Sequence, residues 1–156
     1  MKKILVLAVC MLLCLGVFVS CDSIEGMIGE KVSVAALDKI QPELEGAGFD
    51  TFKRYGAGDT AVFEIELKEE LAKQDLALTG KVTGVLTGDY TNPNTGEWVK
   101  QIAVGVSMSS DVDVLMTYYQ SVYKTELDEG RAVLIDGGWI INLTVSSQVI
   151  DAETEG

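Results

Sequence analysis

The chain has 156 residues, a formal net charge of −12 at pH 7 and no histidine. The acidic balance argues against nucleic acid and against electrostatic adhesion to anionic lipid, because both of those partners are themselves negatively charged. Without histidine the chain lacks the commonest general base and the commonest transition-metal ligand, so we predict no metal site and no cofactor.

Residues 1–20 have the pattern of a secretory signal peptide. Lys2 and Lys3 precede an apolar run over residues 4–19, and this run contains no charge and no proline. The run is too short for a stable membrane span, and its length fits the apolar core of a signal peptide. We therefore predict that this leader directs the chain out of the cytoplasm.

The end of the leader, Phe18-Val19-Ser20-Cys21, resembles the lipobox of bacterial lipoproteins. In that family the cysteine thiol receives a diacylglycerol, the bond before the cysteine is cleaved, and the new amino terminus is often acylated, for example with palmitate. The resemblance implies lipidation of Cys21 and an extracytoplasmic location, anchored by lipid to the cell membrane or to a periplasmic membrane face. Phe18 stands where the family favours leucine. An ordinary signal peptide cut near Ser20, or an uncleaved anchor, is the alternative.

Cleavage before Cys21 would leave 136 of the 156 residues, a size typical of one domain. All 24 acidic residues follow the leader, and ten of the 12 cationic ones do, so the cleaved chain would carry a net charge of −14. We predict a flexible tether over 21–31, which is short, polar and glycine-bearing, and a single domain over 32–150. The acidic end, 151–156, is predicted to be disordered.

The first predicted elements of the domain are a helix over 33–46 and a short strand over 49–55. Asp38 as the N-cap would place Pro42 in the first helical turn, where amides have no intrahelical partner. Gly46 would end the helix. The helix carries an apolar stripe at helical spacing, formed by Ala36, Leu37, Ile40, Leu44 and Ala47.

Residues 60–75 fit two patterns. Phe63, Ile65 and Leu67 alternate as in a strand. Phe63, Leu67 and Leu71 instead repeat every four residues, and the surrounding residues are good helix formers. We predict a helix, with the strand as the alternative.

The rest of the chain has the pattern of two β-hairpins with a helix between them. Strands over 81–90 and 98–108 flank a turn-forming loop, and Ser109-Ser110-Asp111 supplies the N-cap of a helix that ends near Gly130. Strands over 131–135 and 139–149 then flank Asp136-Gly137-Gly138. We predict an α+β fold, an antiparallel sheet of about four to five strands with two to three helices packed on one face as a two-layer sandwich.

The acidic residues of the 60–75 segment are the candidates for acid–base chemistry. Glu66 and Glu70 would share a helix face and perturb each other's titration. Lys68 and Lys73 are interleaved with them, however, which is typical of a solvated helix face. The loop over 89–97 has oxygen-bearing side chains but lacks the ordered spacing of a calcium loop. We therefore predict no catalytic residues and no enzyme activity.

Aromatic residues are the candidates for an interaction surface. Tyr90 and Trp98 bracket the long hairpin loop, and Tyr118 points away from the apolar face of its predicted helix. Together they would suit a protein or glycan of the cell envelope, whereas the alternative is that aromatic residues fill the core between sheet and helices.

The sequence therefore predicts a lipid-anchored extracytoplasmic module that binds or scaffolds an unidentified ligand. A carboxylate-dependent enzyme acting on cell-wall or carbohydrate material is an alternative, and it would need two facing carboxylates about 5–10 Å apart. A small solute-binding lipoprotein is a further alternative, which would need a deep apolar pocket.

Overall fold

The computed structural model of the protein describes residues 22–56 and 58–149, with only the backbone of residues 22–24. The predicted signal peptide over 1–20, the predicted lipidation site Cys21 and the predicted disordered tail over 151–156 lie outside these residues.

In chain order the elements are α1 (Asp22–Gly46), β1 (Thr51–Tyr55), α2 (Thr60–Ala72), β2 (Val82–Thr91), β3 (Trp98–Val106), α3 (Ser110–Val122), α4 (Lys124–Asp128), β4 (Ala132–Asp136) and β5 (Ile140–Ser146). The five strands form one antiparallel sheet in the order β1-β2-β3-β5-β4. The predicted α+β class is confirmed, and so is the helix over the ambiguous segment, which α2 occupies. The outermost strands of the sheet are β1 and β4.

Helix α1 differs most from its prediction. It begins at Asp22 and includes residues 22–31, which the polar, glycine-bearing pattern had predicted as a flexible tether. Tertiary contacts favour the helix there, since Gly29 packs so closely that an added Cβ would lie 2.5 Å from the Trp139 ring. Asp38 is therefore not an N-cap but a residue of the helix interior. Pro42 also lies inside the helix, on an exposed position, where its ring removes one backbone hydrogen bond.

The sheet is covered on both faces, so the molecule has three layers where two were predicted. On the α1 face, Leu37, Ile40 and Leu44 pack with alternate residues of the strands, such as Leu86 and Ala103. On the opposite face, which we call the α2–α3 face, Leu71, Leu115 and Tyr119 pack with Val85 and Val104. Successive residues of β2 and β3 are buried on opposite faces, which is the pattern of strands enclosed between two layers.

Glycines in β2 and β3 allow α1 to approach the sheet closely. A Cβ added to Gly84 would lie 2.6 Å from Leu37 Cδ1, and one added to Gly105 would lie 2.8 Å from Ser33 Cβ. Ser33 and Thr83 form a buried hydroxyl–hydroxyl hydrogen bond of 2.5 Å at this crossing. Larger side chains at these glycines would push the helix off the sheet.

Candidate interaction surface

The three aromatic residues predicted as an interaction surface lie in separate parts of the fold. Tyr90 is on the α1 face, half-buried, with its ring centroid 6.0 Å from that of Phe49. Trp98 follows the alternation of β3 to the α2–α3 face and is 42% exposed. Tyr118, on α3, contacts Tyr119 edge-on at 5.1 Å. The structure therefore brings no two of the predicted trio into ring contact, and their role in binding stays a prediction.

The tyrosines of α3 form part of the interior. Tyr119 is buried between Tyr118 and Tyr123, and its ring centroid lies 6.2 Å from that of Tyr123. Burial raises the pKa of Tyr119, and the nearby hydroxyls of Tyr118 and Tyr123 raise it further. The phenol is therefore neutral at any physiological pH and packs as an amphipathic core side chain.

The carboxylates of α2 have local structural partners. Burial alone would raise the pKa of Glu64, but hydrogen bonds from the Lys68 ammonium and from the Val82 N–H, at 2.5 and 2.8 Å, lower it overall. Glu70 binds the Lys73 ammonium at 2.5 Å. Glu66 is exposed on the outer side of the same helix. Glu64 thus joins α2 to the start of β2, while Glu70 makes a surface ion pair.

Asp111 has a structural role that the capping pattern did not predict. Ser109 stands at the N-cap of α3 but makes no capping hydrogen bond with its side chain. The fully buried carboxylate of Asp111 instead accepts the backbone N–H groups of Thr79 and Gly80, both at 2.7 Å. This contact ties the N-terminus of α3 to the loop that enters β2.

A buried polar network lies on the α1 face of β3 and β5. The Gln101 amide donates to Asn142 Oδ1, and Thr144 Oγ1 donates to Gln101 Oε1 at 2.7 Å. All three side chains are buried, and within the described part of the chain every buried side-chain polar atom has a hydrogen-bond partner. The polar groups of the network are satisfied by hydrogen bonds to one another, so they do not serve as ligand-binding groups. These hydrogen bonds also fix the pairing of β3 with β5. Its signal in the sequence is the polar alternation of Asn142, Thr144 and Ser146 between Ile141, Leu143 and Val145.

The loop between β2 and β3 also uses its polar groups internally. The Asn92 N–H donates to the Glu97 carbonyl at 2.7 Å, and Asn92 Oδ1 accepts the Asn94 N–H at 2.9 Å. Among residues 22–56 and 58–149, no group of three or more acidic, cysteine or histidine side chains is placed to hold a metal ion. Over the same ranges, no helix is both long and apolar enough to cross a membrane.

Strand β4 forms an edge of the sheet and presents unpaired backbone groups. The Ser146 N–H donates to the Arg131 carbonyl, and the Gly137 N–H donates to the Ile140 carbonyl, both at 2.8 Å. Hydrogen-bonded pairs alternate in an antiparallel ladder, so the odd-numbered residues from 131 to 137 face β5. The N–H and C=O groups of Ala132, Leu134 and Asp136 consequently point outward, and no described strand pairs with them.

Four of the five side chains of β4 are apolar, and a groove runs beside the strand. Residues 132–135 are Ala-Val-Leu-Ile, with Val133, Leu134 and Ile135 half-buried. Within the described chain, Val133 and Ile135 belong to neither core cluster. On the α2–α3 face a groove of about 380 Å³ is lined by Gln120, Lys124, Leu127, Asp128 and Leu134. We call this outer edge of β4, together with the groove, the β4 surface.

Compared with known protein families, with curated proteins and with solved structures, the chain has no match. The physical properties of the β4 surface therefore carry the functional argument.

Proposed function

We propose that the protein is a lipid-anchored extracytoplasmic module that binds an extended polypeptide segment along the β4 surface. The observation that carries this proposal is the outward-facing row of N–H and C=O groups at Ala132, Leu134 and Asp136. An added strand would satisfy these groups with main-chain hydrogen bonds, while its alternate side chains contact the apolar residues of β4. The anchor follows from the resemblance of residues 18–21 to a lipobox.

Two properties of β4 favour strand addition over other binding modes. No charged side chain lies within residues 132–135, so an incoming strand meets no like-charge or desolvation barrier along that segment. The groove beside Leu134 has a volume of about 380 Å³, enough to accept a side chain of that strand, and it offers both apolar and polar contacts. Main-chain pairing would supply affinity, and the groove would supply selectivity.

Photo-crosslinking in bacterial membranes tests the binding surface. Benzoylphenylalanine at position 135 replaces a half-buried residue outside both core clusters, and the same group at position 53 replaces an exposed residue of β1. We expect covalent adducts after irradiation from position 135 and none from position 53. Equal labelling at the two positions, or no adduct at position 135, would contradict the proposal.

Intact mass spectrometry tests the anchor independently. Protein extracted from bacterial membranes should have the mass of residues 21–156 plus acyl groups, and Cys21→Ser should lose that mass. An unacylated native chain would remove the anchor from the proposal but leave strand addition at β4 to stand on the crosslinking result.

A further inference from the structure

We infer that the segment bound at the β4 surface is β4 of a second copy of this chain, in a two-fold symmetric antiparallel pair. This inference rests on the proposed function, because it names the partner of the same surface. It would join two five-stranded sheets into one continuous sheet.

The backbone of β4 is self-complementary. A two-fold axis perpendicular to the sheet leaves the α1 faces of the two copies on the same side of the joined sheet. Even-numbered residues of β4 must therefore lie opposite even-numbered residues of the second copy, and odd-numbered residues opposite odd-numbered ones. With Leu134 opposite Leu134 of the second copy, Ala132 falls opposite Asp136. These are the residues whose N–H and C=O groups point outward, and each facing pair would exchange both hydrogen bonds. A shift of two residues in either direction would leave some of these groups unpaired.

The side chains match in the same register. Val133 falls opposite Ile135 of the second copy on the α1 face, which makes a β-branched cross-strand pair of the kind that stabilises sheets. On the opposite face, the two Leu134 side chains meet beside the groove. The apolar residues left outside the two core clusters would thereby gain packing partners.

Charge does not oppose a second copy at this edge. Asp136 of one copy would lie beside Ala132 of the other, on the face where Lys124 lines the groove. The acidic partner of Lys124 in the same chain, Asp128, is 2.5 Å away, so the groove itself contains a compensated pair. Two strongly acidic copies repel each other least where their contact carries few carboxylates. Within residues 132–136 the one acidic residue is Asp136, and this register places the two Asp136 residues at opposite ends of the strand pair, about 13 Å apart along the strands.

A strand pair of this length buries little surface and would be weak between freely diffusing proteins. Anchoring to a common membrane confines both copies to a plane and raises their effective concentration. The pair should therefore be sought in membranes.

The experiment is disulfide crosslinking of the full chain expressed in bacterial membranes, with mild oxidation by copper phenanthroline. Leu134→Cys places the two thiols at the symmetry axis, where facing Cα atoms of a hydrogen-bonded pair lie about 5.5 Å apart, within disulfide range. We expect a dimer of twice the monomer mass. Asp136→Cys is the matched control for register, because two residues 136 would be offset by about 13 Å along the strands.

Three further variants make the result specific. Lys53→Cys, on the opposite edge strand, should not crosslink, and the chain without an added cysteine controls for Cys21. Adding Ile135→Lys to Leu134→Cys should reduce the dimer yield at least tenfold, because it places a lysine opposite each Val133 in the paired strands. Ile135 lies outside both core clusters, so the lysine should leave the fold intact, which circular dichroism checks.

The outcomes separate this inference from the proposed function. If Leu134→Cys stays monomeric while photo-crosslinking at position 135 captures a different protein, the binding surface stands and the second copy is wrong. If neither method gives an adduct, both proposals are wrong. A dimer formed equally well by Leu134→Cys and Asp136→Cys would also overturn the symmetric register.

Discussion

The two edges of the sheet are built in opposite ways. Strand β1 carries Lys53 and Arg54 at its centre, and both side chains are exposed. Strand β4 has the same length but no charge in its first four residues. Charged side chains, lysine above all, are a common means of keeping edge strands from pairing with other chains. The contrast indicates that one edge is closed to strand addition and the other is open to it.

The edges also differ in what holds them to the rest of the molecule. Arg54 binds Asp38 of α1, and the Lys53 ammonium lies 4.8 Å from the centre of the Tyr55 ring. On the other side, Ala132 is buried in the same cluster as Leu115 and Tyr119, and Leu134 packs against that cluster. Strand β1 therefore has charged contacts in addition to the packing of Phe52 and Tyr55, whereas β4 is held by apolar packing. The two edges should respond differently to pH, salt and mutation.

Removing the charges of β1 should have the largest effect, which is on the size of the oligomers that the protein forms. We expect Lys53→Val with Arg54→Val to convert discrete species into open-ended oligomers, because each copy would then have two edges able to pair. Chemical crosslinking of the acylated protein in bacterial membranes, followed by denaturing gel electrophoresis, measures the size distribution. Adding Ile135→Lys to this variant should restore a limited size, since it closes the β4 edge. An unchanged distribution in the double-valine variant would mean that its charges do not protect β1.

The apolar support of β4 should dominate the stability of that side of the molecule. Leu115 is fully buried, and Leu115→Ala should lower the free energy of unfolding by about 2–5 kcal/mol. The loss should be the same at neutral and at acidic pH, because no titrating group is removed. Urea unfolding at both pH values measures it. Val122→Ala, at a 48% exposed position of the same helix, is the matched control and should change stability by less than about 0.5 kcal/mol.

The β1 side, by contrast, should contain a contribution that depends on pH. The pKa of Glu64 lies below its ordinary value of 4.5, since hydrogen bonds from Lys68 and Val82 outweigh the opposing effect of burial. A depressed folded-state pKa gives stability that is present above the unfolded-state value and is lost as the pH falls through the folded-state value. Glu64→Gln should therefore cost about 1 kcal/mol near neutral pH.

The difference in stability between the Glu64→Gln variant and the native chain should shrink as the pH falls below about 4.5. Thermal unfolding followed across the acidic range measures this convergence. Glu70→Gln is the matched control, because Glu70 is exposed and forms a surface ion pair with Lys73 at 2.5 Å. Parallel curves for the Glu64 variant and the native chain would show that its carboxylate contributes no pH-dependent stability.

The strands and the central helices could be predicted from the sequence because their patterns are local. The β-branched run before the Asn-Pro-Asn turn indicates a strand. In residues 60–75 the four-residue spacing of Phe63, Leu67 and Leu71 favours a helix, although the same segment also fits an alternating strand pattern. Helix α1 over residues 22–31 could not be predicted in this way. Its glycines have low helix propensity, and the helix is favoured by packing against residues distant in sequence, such as Trp139.

The three-layer arrangement and the β4 surface depend on contacts between residues distant in sequence, which local patterns do not contain. Burial of adjacent residues such as Ala103 and Val104 does have a signal in β3, the apolar run Ile102-Ala-Val-Gly-Val106, which is typical of strands enclosed on both faces. The apolar sequence of β4, however, reads the same in a central strand and at an edge. Only the strand order, with β5 placed between β3 and β4, shows that its outer side is unpaired among the described strands.

The smallest expected effect is at the ion pair of Asp38 and Arg54. Their side chains are 59% and 34% exposed, so solvent screens the attraction, and Asp38→Ala should cost less than about 1 kcal/mol. The loss should disappear in about 1 M salt, where charges are screened within about 3 Å. Chemical unfolding with urea at low and high salt measures this loss, with Asp50→Ala as an exposed acidic control near the same strand.

Asp38→Ala should also leave crosslinking of Leu134→Cys unchanged, because the ion pair lies at the opposite edge of the sheet. A coupled loss of the dimer would show that the two edges are not independent, and the contrast between them would then have to be explained by the stability of the whole sheet.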